Sequence, residues 1–412
     1  MSAPASTDRS VPRAAMKSGD LSRDGRGRIR ATPPILHYGF RPFFFLVSLY
    51  AGLAIPAWLG AYIGGIEISG PFVALHWHAH EMLFGYLGAV IAGFILTAIP
   101  NWTGRLPLSG MPLLALVGLW LAGRASCLLV PDPWLAMAAD LAFPFALGFA
   151  IWREVVAGRN WKNAPVAVMI TLFSCANAAD HLANQGILDH DFGQRLALAV
   201  AAMLIALIGG RIVPSFTRNW LAREGAAVLP APFGRIDKAA LATTAAAMLG
   251  RVAFPETVAV GALLCAAGVL VALRLARWRG LATVGEPILF VLHGGYGWLA
   301  VSLSFLGLAT LFPAIPHSAA LHALTTGAIG TMTLAVMTRA SLGHTGRVIV
   351  ADRAVVAMYV MVSAGAALRV AAPFFDRWYT IALGLGGALW SAAFLLFAVH
   401  YAPVLWGRRA GT

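Results

Sequence analysis

Residues 75–105, LHWHAHEMLFGYLGAVIAGFILTAIPNWTGR, open with three histidines and a glutamate and then run apolar for about twenty residues. A helix of that length crosses the hydrocarbon core of a bilayer. The segment therefore reads as a membrane span carrying four titratable side chains at one end. The rest of the chain has the same character. Of 412 residues, 59% are hydrophobic and 11% charged, against a globular norm of about 45–50% and about 25%. Gly and Pro breaks divide it into twelve apolar stretches, at about 40–63, 72–99, 111–130, 134–156, 164–186, 194–217, 237–254, 256–277, 286–312, 316–341, 350–372 and 378–404. No alternating ten-residue pattern suggests a barrel. The fold class is all-α, a polytopic membrane protein of about twelve transmembrane helices.

Residues 1–34, rich in Ser, Arg, Gly and Pro, lack the apolar stretch of a signal peptide and read as a disordered basic cytoplasmic tail. Residues 35–408 form the membrane domain, and 409–412 a short cytoplasmic carboxyl tail. A net charge of +13 would suit a nucleic-acid partner, but its distribution argues against one. Most Lys and Arg fall on the tails and on loops sharing the amino terminus's side. Arg195 and Arg377 alone fall opposite, and Arg124, Arg211, Arg251 and Arg369 fall within spans. This is the positive-inside pattern, with both termini cytoplasmic. Cys127, Cys175 and Cys265 lie singly in apolar spans and read as small packing residues. No phosphate-binding loop, CxxCH, dinucleotide fingerprint or Ser/His/Asp order is present.

The chain also echoes itself. The second span ends NWTGR and the tenth GHTGR, and aligning Thr103, Gly104 and Arg105 on Thr345, Gly346 and Arg347 superposes His80 on His322 and Gly85 on Gly327. The third, seventh and eleventh spans place Arg124, Arg251 and Arg369 before a span-ending proline. Three copies of a four-helix unit follow, at about 35–158, 160–282 and 285–408. The first and third copies also open alike, with LHYGF at Leu36 and LHGGY at Leu292; the middle copy lacks that histidine and has Gln194 near the place of His80.

On a helix, residues four apart share a face, so His76 and His80 point together while His78 points about 200° from His76. Imidazole is the commonest metal ligand and suits copper, iron and zinc. His76 and His80, with the repeat-related His322, are candidates to converge on a metal or a haem iron. His293 and His344, toward the cytoplasmic side, would serve a second site. Glu81 is either protonated, paired with an arginine, or orienting a ligand histidine. The span arginines are either paired structurally or bind an anion. Because Arg suits carboxylates, an outer-leaflet haem ligated by histidine, its propionates held by Arg124, Arg251 or Arg369, is the sharpest expectation from the residues.

With HYGFRPFF at residue 37, the histidine-rich motif and GHTGR, the chain resembles the NnrS family over about residues 35–408. The resemblance implies a twelve-span inner-membrane protein of bacteria containing haem and copper, produced in response to nitric oxide and protecting against nitrosative stress. It carries over no ligand set, so His76, His78, His80, His293, His322 and His344 stand as metal candidates. Arg124, Arg251, Arg369 and Glu81 stand as cofactor contacts. The function expected is metal-centred binding or turnover of nitric oxide, or protection of metal pools. A redox enzyme would need an electron donor and a proton path, and neither is visible. The alternative is a transporter of metal, haem or a nitrosylated complex.

Overall fold

The computed structural model describes residues 32–411, and the expected amino-terminal tail lies almost wholly outside the described residues. Among those described there are long helices and no strands, as the hydropathy predicts. Twelve helices form the body: α1 (Phe40–Tyr62), α2 (Ala74–Pro100), α3 (Met111–Leu129), α4 (Pro133–Ala157), α5 (Ala164–Asn184), α6 (Phe192–Arg223), α7 (Arg235–Ala253), α8 (Val258–Ala276), α9 (Pro287–Leu311), α10 (His317–His344), α11 (Arg353–Ala371) and α12 (Tyr379–Trp406). Eleven are long and apolar enough to cross a membrane. The exception, α7, carries Arg235, Asp237, Lys238 and Arg251 in its 19 residues.

Span ends follow local chemistry. Pro133 and Pro287 occupy first helical positions, where a missing N–H costs nothing. Asp132 caps α4 by accepting from Leu135 N (2.7 Å), and Asp352 caps α11 by accepting from Val355 N (2.9 Å). Gly104 and Gly346, aligned by the sequence echo, both adopt left-handed φ (69° and 72°), which a side chain would resist.

Helices pack in sequence as α3 on α4, α7 on α8 and α11 on α12, with α4 on α5, α8 on α9, and α12 returning to α1 to close a ring. The helix α2 runs innermost. In α2, 83% of the apolar window is inside the protein, against 39% in α4 and α8. A cavity of about 90 Å³ lies between α2, α6 and α10, lined by apolar groups such as Leu87, Ile91, Ile205 and Met332. These same three helices each contain a π-helical segment, at Glu81–Leu87, Ile205–Gly209 and Ala323–Gly330. One extra residue per turn is accommodated there, and such segments often adjoin functional sites. The first and third begin 242 residues apart, the offset that aligns 103–105 on 345–347. The carbonyl of Gly85, inside the first, accepts from Trp120 Nε1 (2.9 Å), which keeps it satisfied in an apolar setting.

Candidate metal centre

The histidines of α2 divide by face, as helical spacing requires. His76 and His80 turn toward α3, α4 and α5, whereas His78 turns the other way and stacks on Trp58 of α1 (centroids 4.1 Å apart). Around His80 the chain gathers four metal-ligating groups: His80, Cys127 of α3, Asp140 of α4 and His181 of α5. Each offers a ligand atom, and all these atoms lie within 4.8 Å of one another. All four residues are buried.

Hydrogen bonding aims the cluster. Asp180 Oδ2 lies 2.8 Å from His80 Nδ1 and 3.1 Å from His76 Nε2. A neutral imidazole has one N–H. If His80 gives it to Asp180, its Nε2 is a lone pair, and that nitrogen lies 3.1 Å from Asp140 Oδ2 and 3.7 Å from Cys127 Sγ. His181 Nε2 sits 3.1 Å from the same Asp140 oxygen, which also accepts from Asn177 Nδ2 at 2.9 Å. A carboxylate holding the far nitrogen of an imidazole is the usual outer support of a metal-bound histidine. Phe72 covers the group, its ring centroid 4.5 Å from that of His80 and 5.2 Å from that of His181.

Charge balance points the same way. Glu81, Asp140 and Asp180 are buried, and Arg124 is the one guanidinium among them. It donates to Glu81 Oε2 (2.5 Å) and pairs with Asp140. Tyr50 also donates to Glu81. Three carboxylates against one guanidinium leave two negative charges to be balanced, since an isolated charge in this setting costs several kcal/mol. Imidazolium protons or a metal cation would supply them. Buried acceptors are left over too: Glu81 Oε1, Asp180 Oδ1 and Asn177 Oδ1 have no hydrogen-bond partner, beside one spare donor, Arg124 Nε. Close approach depends on glycine. A Cβ at Gly123 would lie 2.7 Å from Asp140 Oδ1, and one at Gly85 would lie 2.6 Å from Glu81 Oε2.

Among proteins compared with this chain, the family described as NnrS protein matches residues 34–409. The chain belongs to the NnrS family. No curated protein matches it. For an NnrS chain, sequence reasoning nominated His76 and His80 at this centre but missed Cys127, Asp140, Asp180 and His181. The signal was available in part: Asp180-His181 is an adjacent ionisable pair inside an apolar span, and Asp140 is a lone carboxylate in another.

The remaining nominated residues lie elsewhere. His322 does not meet His80; it lines a cavity of about 30 Å³ with His78, Trp58, Thr326, Arg369 and Trp390. Arg251 contacts His317 Nε2 (3.2 Å), and Arg369 donates to Ser318 Oγ (3.1 Å). His293 Nε2 lies 2.8 Å from Thr217 Oγ1, and its Nδ1 is packed against Gly280. His344 is exposed at the end of α10, near Phe40.

Copper fits the donor set of the His80 centre, because imidazole and thiolate are the ligands it takes most readily; zinc would accept the same set. Haem does not fit the residues nominated for it. Arg124 is engaged by two carboxylates, Arg251 and Arg369 reach different partners, and the cavity beside Arg369 is far smaller than the several hundred Å³ a large ligand needs. A cavity of about 600 Å³ beside His293 and Arg279 has the volume, but both ring nitrogens of that histidine face Thr217 and Gly280.

Proposed function

We propose that this NnrS-family protein holds a copper ion between His80, His181, Cys127 and Asp140 and meets nitric oxide there, limiting nitrosative damage. The observation that carries the reading is the convergence of these four buried groups from four helices, beside the buried carboxyl groups of Glu81 and Asp180. Copper so held would supply a redox-active centre with affinity for nitric oxide. The chain's own residues would do the rest. Asp180 would hold His80 by Nδ1 and steady His76. Arg124 would fix Asp140 and Glu81, so that one carboxylate oxygen faces the ion. Phe72 would keep water and larger molecules out, leaving access to a small neutral gas. Membership of the family supports the nitric oxide setting.

The same proposal puts the chain in the bacterial inner membrane with both ends cytoplasmic, on the distribution of Lys and Arg. It also holds that the chain is three copies of one four-helix unit. The three π-helical segments, the paired left-handed glycines and the recurrent helix pairing support that reading. The third copy has Ser318 and Ala323 at the places of His76 and Glu81, so in this reading the metal chemistry belongs to the first copy together with Asp180 and His181 from the start of the second.

Metal analysis and EPR of the purified protein, oxidised and reduced, with and without nitric oxide, test the proposal. The expected result is about one copper per chain, lost in His181→Ala and Cys127→Ser, with a spectrum altered by nitric oxide. A copper-free protein after reconstitution would sink the metal reading. A copper spectrum indifferent to nitric oxide would sink the gas reading alone.

A further inference from the structure

The cavity on the opposite face of α2 has the reverse chemistry. It is lined by Trp58 of α1, His78 of α2, His322 and Thr326 of α10, Arg369 of α11 and Trp390 of α12. Four buried nitrogens of these side chains lack a hydrogen-bond partner: Arg369 Nη1, Trp58 Nε1, Trp390 Nε1 and His78 Nδ1. Three are obligate donors, since guanidinium and indole nitrogens accept nothing. Trp58 and Trp390 are each 4% exposed and Arg369 9%, so bulk water does not serve them freely. The metal centre leaves acceptors over, whereas this cavity leaves donors.

Charge sharpens the contrast. Arg124 has Glu81 and Asp140, and buried Arg274 has Asp237 at 2.9 Å. The side-chain partner of Arg369 is the hydroxyl of Ser318, and among the described residues it forms no ion pair with a carboxylate. A buried arginine without a counter-charge is costly within a membrane and marks a ligand or a cavity. Two histidines would otherwise suggest a metal, but a cation beside Arg369 would be repelled with no carboxylate to offset it. His322 Nδ1 is also already within 2.7 Å of Ser318 O, to which it donates. Arg251 likewise contacts a neutral partner, yet it lines no cavity of this kind.

We infer that this cavity binds a small monovalent oxyanion, of the size and charge of nitrite, against Arg369, with the indole N–H of Trp58 as a further donor. One guanidinium among neutral groups sets the charge. Size follows from volume: a water needs about 10–15 Å³ of the same kind of space, so about 30 Å³ takes an anion of three heavy atoms. His78, stacked on Trp58 at an interplanar angle of 20°, fixes the plane of that indole. The inference is independent of the copper reading, because no residue of the His80 centre lines the cavity.

Equilibrium dialysis of the full chain in phosphatidylcholine nanodiscs against isotopically labelled nitrite tests it. Saturable binding at about one per chain is expected, weakened about tenfold or more in Arg369→Gln and less in Trp58→Phe, which keeps the ring but removes the donor. Melting temperature reports whether each variant folds, and Trp58→Phe keeps the test decisive if Arg369→Gln does not. Three results would overturn the inference: no saturable nitrite uptake, uptake unchanged in both variants, or uptake abolished by phosphatidylglycerol nanodiscs. The last would make a lipid headgroup the counter-ion, and the first would leave the cavity to water.

Discussion

Asp180 shows how much one carboxylate can decide. It is fully buried, next in sequence to His181, and one of its oxygens takes both His76 and His80. Its effect on a metal would run through the orientation and basicity of His80 rather than through direct contact. Asp180→Asn keeps the shape but removes the charge. The expected outcome is a metal affinity lower by about 10–100-fold, measured by competition with a chelator of known strength, with the melting temperature little changed. An affinity equal to wild type would mean that His80 is not a ligand. Cys127 illustrates the limit of reading one residue alone. A single cysteine in an apolar span is most often a packing residue, and nothing local to it signals the imidazole 3.7 Å away.

At the scale of elements, α2 is the helix that matters, and its π-helical segment sets how its two ends are turned. His76, His78 and His80 stand just before Glu81–Leu87, so the segment determines which neighbours the histidines face. Inserting one alanine between His80 and Glu81 would turn the histidines by about 100° relative to the rest of α2. Membrane insertion should survive, because span length and hydropathy barely change, while metal binding should fall to background. Metal analysis of the insertion variant checks this, and full occupancy would show that the phase of the histidines on α2 does not aim the site. Helical periodicity alone separated His76 and His80 from His78 correctly. It could not say that one face meets carboxylates and the other meets Arg369, since that depends on which helices pack on each side.

At the scale of the molecule, the ring is closed by its first and last helices. Arg41, 2% exposed, donates from Nη1 to Leu405 O (2.8 Å) and Gly407 O (2.7 Å), satisfying carbonyls at the end of α12. Arg41→Met retains the bulk but strands those carbonyls. Two charge-assisted bonds at about 1.5–3 kcal/mol each put the loss at about 3 kcal/mol or more, read as a clear drop in thermal melting in nanodiscs. An unchanged melting temperature would mean that closure rests on helix packing alone. A comparable cluster at the far side of the ring joins α6, α7, α8 and α9: Arg274 donates to Asp237, to Tyr296 and to the carbonyls of Ala206 and Gly210. The buried charge of Arg274 is thus answered by a carboxylate where it holds helices together. Buried charge is left unanswered at the two sites where a ligand is proposed.

The sequence by itself determined that the chain crosses a membrane about twelve times as helices, and which histidines share a face. Both follow from local rules: hydrocarbon accepts a backbone only when its polar groups are paired within the segment, and side chains repeat every 3.6 residues. Tertiary structure alone decided that His80 meets Cys127, Asp140, Asp180 and His181 while His322 meets His78 and Arg369. Those groups come from helices far apart in the chain, each contributing one or two polar atoms to an otherwise apolar surface. No local pattern encodes their meeting, because it is set by how the helices pack, and packing is driven by the apolar residues between them.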